Sequence, residues 1–111
     1  MKIILDGGSF KNLEIDGTFS IKHLDSHTRL KISNIKTDEN IATQIQRQLE
    51  NQQAVIYMTT NLTYKFNCIV DDIQYAGCWI QCADYHDISV ADSDQYITLT
   101  LVSTGLPSLE K

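Results

Sequence analysis

Apolar residues in this chain recur mainly at every second position, a period that suits the two faces of a strand and not the stripe of a helix. Leu30 and Ile32 alternate with Arg29, Lys31 and Ser33, and Tyr64, Phe66, Cys68 and Val70 do the same further on. Near the end, Ile97, Leu99 and Leu101 face one way while Tyr96, Thr98 and Thr100 face the other. Turn-forming clusters divide these runs: Asp6-Gly7-Gly8-Ser9, Asp16-Gly17, Asp25-Ser26-His27, Asn61 and Asp92-Ser93-Asp94. Gly accepts positive φ, and Asp and Asn bond their own backbone, so such clusters end strands.

The predicted strands cover 2–5, 10–15, 18–24, 29–35, 54–60, 64–70, 73–83, 88–90 and 95–103. Asp71-Asp72 interrupts two of them, and Gly77 marks a bulge. Asp16-Gly17 predicts a hairpin between the second and third strands. A two-residue loop would set Ile15 against Thr18. A three-residue loop pairs Ile15 with Phe19 and Leu13 with Ile21, which collects the apolar residues on one face, so the longer loop or a bulge is preferred. In the fourth strand the period places Leu30, Ile32 and Asn34 together.

One segment has helical period. Thr37 is the expected N-cap, Asp38 and Glu39 suit the first turn, and Ile41, Ile45 and Leu49 recur every fourth residue. The helix is predicted over about 38–52, with Gln44, Gln46, Arg47, Glu50 and Gln52 on a polar face. The order β-β-β-β-α-β-β-β-β-β predicts a mainly β (α+β) fold. It is an antiparallel β-sandwich or partly closed barrel with one amphipathic helix, in a single domain spanning 1–111. A flexible tail is expected from about 104 to 111, after Gly105 and before Pro107.

Composition narrows the function classes. At 111 residues the chain suits one domain. An apolar fraction of 42% is ordinary for a globular protein. No apolar stretch approaches the roughly 20 residues that span a bilayer, so no membrane partner is expected. Lys2 alone, without a long apolar core behind it, does not read as a secretory signal. Three cysteines, Cys68, Cys78 and Cys82, favour a reducing, cytoplasmic compartment over a disulfide framework. The sequon Asn61-Leu62-Thr63 is then a chance match. A pI near 4.9 argues against direct nucleic-acid binding. Trp79, Tyr75 and Tyr85 are expected to pack in a core or interface, for lack of basic residues around them.

Charge is uneven. Residues 1–66 hold eight Lys/Arg against seven Asp/Glu, and residues 67–111 hold one against seven. The acids of the second half lie at turns and strand ends, which suits solubility and turn chemistry. Their alternative role is an acidic patch for a basic partner surface. The expected partner-contact residues are Asp71, Asp72, Asp84, Asp87, Asp92 and Asp94, with Gln44 and Arg47 from the helix.

No catalytic set emerges, and no cofactor is expected. On a helix Cys78, Cys82 and His86, spaced four and four, would share a face and, with Asp84 or Asp87, could bind zinc; Cys68 could come across from a neighbouring strand to meet one of them. On a strand, positions 78 and 86 lie about 26 Å apart, so they cannot share an ion. Buried apolar packing is the expected role of the cysteines. His23 and His27 flank a turn with no third ligand nearby. Asp6-Gly7-Gly8-Ser9 precedes a strand, not a helix, so it lacks the donors of a phosphate loop.

The order of hairpin, strands, one inserted helix and strand meander, over Lys2 to Ser103, resembles small phage tail and baseplate proteins of the β-sandwich-plus-helix type. It rests on architecture and carries no residue across. The resemblance implies a non-enzymatic protein–protein assembly module, a virion-associated homo- or hetero-oligomer. One alternative is a small anti-defence inhibitor binding a host protein through its acidic loops. Another is a zinc-binding module.

Overall fold

The computed structural model describes residues 2–58, 64–86, 95–104 and 108–109. Among these described residues, eight strands and one helix follow in the order β1 (Lys2–Gly7), β2 (Phe10–Asp16), β3 (Thr18–His23), β4 (Thr28–Thr37), α1 (Glu39–Met58), β5 (Phe66–Val70), β6 (Ile73–His86), β7 (Gln95–Ser103) and β8 (Ser108–Leu109). The fold is mainly antiparallel β with one helix, as the period of the sequence predicts.

The sheet runs β2-β1-β5-β6-β7-β4-β3, and β8 pairs with the start of β6. β2 and β3 stand at opposite ends of this path, yet Gly17 alone separates them in the chain. One residue cannot span an open sheet, so the sheet must curl until its ends meet. Gly17 is where they meet. A Cβ there would lie 2.8 Å from both Ile32 Cγ2 and the Ser33 carbonyl oxygen, so only glycine fits. The predicted hairpin between β2 and β3 therefore does not form. Ile15 pairs with Ile3, and Phe19 pairs with Ile32. Their shared apolar period reflects a shared core, which both strands face without pairing.

β6 is the spine of the curl. Its first part pairs with β5, and from Cys78 onward it pairs with β7. The change of neighbour falls at the bulge expected at Gly77, whose φ is +65°. Ser103 Oγ donates to the Ala76 carbonyl at 2.7 Å there. One apolar cluster fills the curl, including Ile3, Leu5, Phe10, Leu13, Ile15, Phe66 and Cys68 from one half. Leu30, Ile32, Ile35, Ile80, Ile97, Leu99 and Leu101 join from the other. The Phe10 and Phe66 rings meet edge to face at 4.7 Å.

Bulges displace several sequence expectations. In β4 the register shifts between Ile32 and Ile35, and Asn34 adopts φ +59°. The core face therefore carries Leu30, Ile32 and Ile35, while Asn34 is exposed. Asp71 and Asp72 part β5 from β6 where the sequence places a break. Both have positive φ, 48° and 66°, and they form the two-residue turn of a hairpin in which Val70 pairs with Ile73. β6 runs on through Asp84 to His86, and Ser108–Leu109 pairs with Ile73 and Gln74 where a loop was expected.

The helix is capped by Asp38, not Thr37: Asp38 Oδ1 accepts from the Ile41 amide at 2.8 Å. It extends to Met58, replacing the first five residues of the strand expected at 54–60. Strand propensity in 54–58 yields to a helix already nucleated and anchored upstream. Thr59, Thr60, the Asn61 turn and sequon, the 88–90 strand and the 92–94 turn lie outside the described residues. No helix among the described residues is long and apolar enough to cross a membrane.

What anchors the helix is polar. Gln44, Gln48 and Gln52 recur every fourth residue, so they form one row. Gln44 Oε1 accepts from the Lys11 amide at 3.2 Å. Gln48, fully buried, accepts from the Ser9 amide at 2.9 Å and donates to the Tyr64 carbonyl at 2.7 Å. Gln52 accepts from the Ile80 amide at 2.8 Å and donates to the Ile80 carbonyl at 2.9 Å. Gln48 also donates to Gln52 Oε1 at 3.0 Å. Ser9 Oγ accepts from Asn51 beside this row. Gln44 and Gln52 are thus half-buried and bond to the sheet. Gly8, at φ +56°, leaves the gap for Gln48: a Cβ there would lie 2.7 Å from Gln48 Oε1.

Gln48→Leu keeps the bulk and strands the Ser9 amide and Tyr64 carbonyl without partners. It is expected to cost about 1–3 kcal/mol in urea unfolding. Gln46→Leu, on the exposed side, is expected to cost under about 0.5 kcal/mol. Equal effects would show that the row carries no stability.

Candidate functional site

A curled sheet that does not close leaves strand edges, and the chain treats its edges differently. At β2 the register shifts beside Asn12, whose φ is +48°. Three amides at its start are taken: Ser9 by Gln48, Lys11 by Gln44, and Asn12 by Asp6 Oδ1 at 2.9 Å. The second half of β6 lacks a neighbour opposite β7 among the described residues, and there the helix runs alongside, with Gln52 occupying Ile80. These are the ordinary means of blunting an edge.

β3 has neither a bulge nor a side-chain cover among the described residues, and Lys22 is its one charged residue. It pairs with β4 without a bulge from Thr18 to His23, and five of its six residues are exposed. The direction of its backbone follows from Gln52. Both polar backbone groups of Ile80 point to Gln52, so the Ile80–Leu101 pair exchanges no hydrogen bonds. Leu101 then bonds across to Leu30, and the Leu30–Ile21 pair exchanges none. Hence the N–H and C=O groups of Phe19, Ile21 and His23 point outward, away from β4. Among the described residues nothing pairs with them.

The side chains beside this edge form two sets. On the core side, Phe19 is half-buried, 5.9 Å from the Tyr75 ring, and Ile21 is 37% exposed. On the outer side the registers align two rows across four strands. One row is Trp79, Val102, Arg29 and Lys22; the other is Cys82, Thr100, Lys31 and Ser20. Trp79 thus stands beside Val102, with Arg29 one strand further along the row. Val102 is 4% exposed on this outer face. Arg29 Nε is buried with no hydrogen-bond partner among the described residues. Lys22, Arg29 and Lys31 form no ion pair among the described residues, whereas Lys2 pairs with Glu14 at 3.2 Å.

The expected contact residues do not come together. Asp71 and Asp72 share a shallow hollow of about 250 Å³ with Lys2, at the start of β6. Asp84 lies near the other end of that 14-residue strand. An antiparallel spine separates what the chain order places close. Asp87, Asp92 and Asp94 lie outside the described residues. Gln44 serves the Lys11 amide. Arg47 lines an open groove of about 450 Å³ with Ala42, Glu50 and Tyr85, which is 48% exposed.

The thiols also diverge. Cys68 and Cys78 are buried in the core, and Cys82 is exposed on the outer face. The His86 side chain lies outside the description. Cys78 Sγ donates to the Tyr75 carbonyl at 3.2 Å, within its own strand. Burial pushes the Cys68 thiol far above its usual range, with Cys78 adding to the rise. Burial lifts Cys78 to about 11, partly offset by a hydrogen bond with Ser103. The Asp84 carboxylate, 3.4 Å away, raises Cys82.

The residues of the β3 edge carried no motif. Their signal was negative: Thr18 to His23 alternates with only two large apolar residues, as an edge strand does. No family model, curated protein or solved structure matches this chain.

An aromatic disulfide reagent at pH 8 is expected to titrate one thiol, Cys82, at once, and Cys68 and Cys78 only after unfolding. Two fast thiols would contradict the placement. Because the folded state holds the Cys68 and Cys78 protons more tightly than the unfolded chain, their contribution is full below about pH 9. It is lost as pH rises from there through the folded values. Urea midpoints measured from pH 8 to 11 should fall, and less steeply in Cys78→Ala relative to its own pH 8 value.

Proposed function

We propose that this chain is a non-enzymatic protein–protein assembly module that joins its partner by strand addition at β3. The observation that carries this reading is that, among the described residues, β3 pairs on one side only and without a bulge, whereas the start of β2 and Ile80 of β6 are taken by side chains. Backbone groups of Phe19, Ile21 and His23 offer a ladder, and an added strand would also cover Ile21. Strand addition gives affinity through main-chain hydrogen bonds and specificity through alternate side chains. Placement as a tail or baseplate component of a phage virion is the finer form of this proposal, and rests on the order of elements alone.

A photoreactive benzoylphenylalanine replacing Ser20 tests it in extracts of the native source, with Lys11 on β2 as the control position. A defined crosslink from position 20 and none from position 11 is expected. Adding Ile21→Pro removes an outward N–H and leaves the β4 pairing intact, at a stability cost of about 1–2 kcal/mol. It should abolish the crosslink. A crosslink that survives Ile21→Pro, or that forms equally at position 11, would overturn strand addition at β3.

A further inference from the structure

Resting on the strand-addition reading, we infer that the segment β3 receives is acidic: an extended partner strand with carboxylates at alternate positions and apolar residues between them. The two faces of the edge dictate this pattern. A strand laid along β3 alternates its side chains between the core side and the outer side. On the core side its residues meet Phe19 and the exposed flank of Ile21, which favours apolar groups. On the outer side they lie next to Ser20 and Lys22, with Arg29 and Lys31 one strand further in. Opposed side chains on neighbouring strands have Cβ atoms about 5 Å apart, and the arms of Lys and Arg reach across a second strand. Three cations without an ion-pair partner among the described residues thus converge on the outer face of the added strand. Arg29 Nε, buried and unpartnered, adds a donor without an acceptor.

Charge also disfavours the simplest alternative, a second copy of β3. Pairing β3 with itself about a two-fold axis would place Lys22, Arg29 and Lys31 of both copies on one continuous face. Like charges on adjoining strands destabilise a sheet. β2 of a second copy is guarded in its first half. In its second half Leu13 and Ile15 are buried in the core and Glu14 pairs with Lys2, so the occupant favoured is a strand from a different protein.

The test uses capped synthetic octapeptides of sequence TEVEIEVT, TQVQIQVT and TKVKIKVT, with a 15-nucleotide oligo(dT) as a polyanion that cannot form a ladder. Backbone amides of the full chain are followed by NMR hydrogen exchange. The glutamate peptide is expected to protect the amides of Phe19, Ile21 and His23. It should bind at least tenfold more tightly than the glutamine peptide at low salt, with the gap shrinking as salt rises. The lysine peptide should not bind. In Lys22→Glu/Lys31→Glu the order of glutamate and lysine peptides should reverse. Equal binding of the glutamate and glutamine peptides, with the three amides protected by both, would overturn the acidic partner and leave strand addition standing. No protection by any peptide would overturn both. Oligo(dT) binding that shifts Trp79 and displaces the glutamate peptide, while leaving the three amides exchanging freely, would assign the cationic face to nucleic acid.

Discussion

The row Gln44, Gln48 and Gln52 is the interaction on which the rest depends. A partly closed barrel needs cover for its open flank, and it leaves backbone groups where one strand ends and its neighbour continues. A purely apolar helix would cover the flank and abandon those groups, at a cost of about 1–3 kcal/mol each. Here one helix does both. Ile41, Ile45 and Leu49 bury against the cluster, and the three amides stand in for missing strand neighbours at Lys11, Ser9, Tyr64 and Ile80. Gln52 treats Ile80 as an adjacent strand would, with one bond accepted and one donated. The same contact tells which backbone groups of β6, β7, β4 and β3 point where, three strands away.

The class of the fold was legible because burial follows period. Ile3 and Leu5, then Phe66, Cys68 and Val70, then Ile97, Leu99 and Leu101 are buried on alternate positions. The bulge at Gly77 was legible from a glycine within a strand pattern. The pairing of β2 with β1, and of β3 with β4, was not. Period says which face is buried and nothing about which strand lies alongside. Asp16-Gly17 carries a strong local hairpin signal, and tertiary closure at Ile32 and Ser33 overrides it. Asn34 and Ile35 exchanged roles because a bulge inserts one residue without any mark in composition.

The glutamines show the deeper limit. Read along a helix wheel, an amide is polar and belongs outside. Its capacity to replace a strand depends on an orphaned carbonyl and amide elsewhere in the chain, and no local pattern encodes those. The candidate edge was hidden for the same reason: an edge is defined by what does not lie beside it. Acids of the second half, conspicuous in the charge count, fall at the two ends of β6 where they are described.

The order of the sheet also sets an order of events. β1 finds its inner neighbour in β5, with Ile3 against Val70, and β4 finds its own in β7, with Leu30 against Leu101. Both early hairpins, β1–β2 and β3–β4, are thus complete as local units long before either can bury its apolar face. During synthesis they must wait for the far half of the chain, and the loop-closure entropy of joining them falls on the barrier. The inner edges of β1 and β4, buried by pairing in the finished molecule, are therefore the longest-exposed hazard of a nascent one.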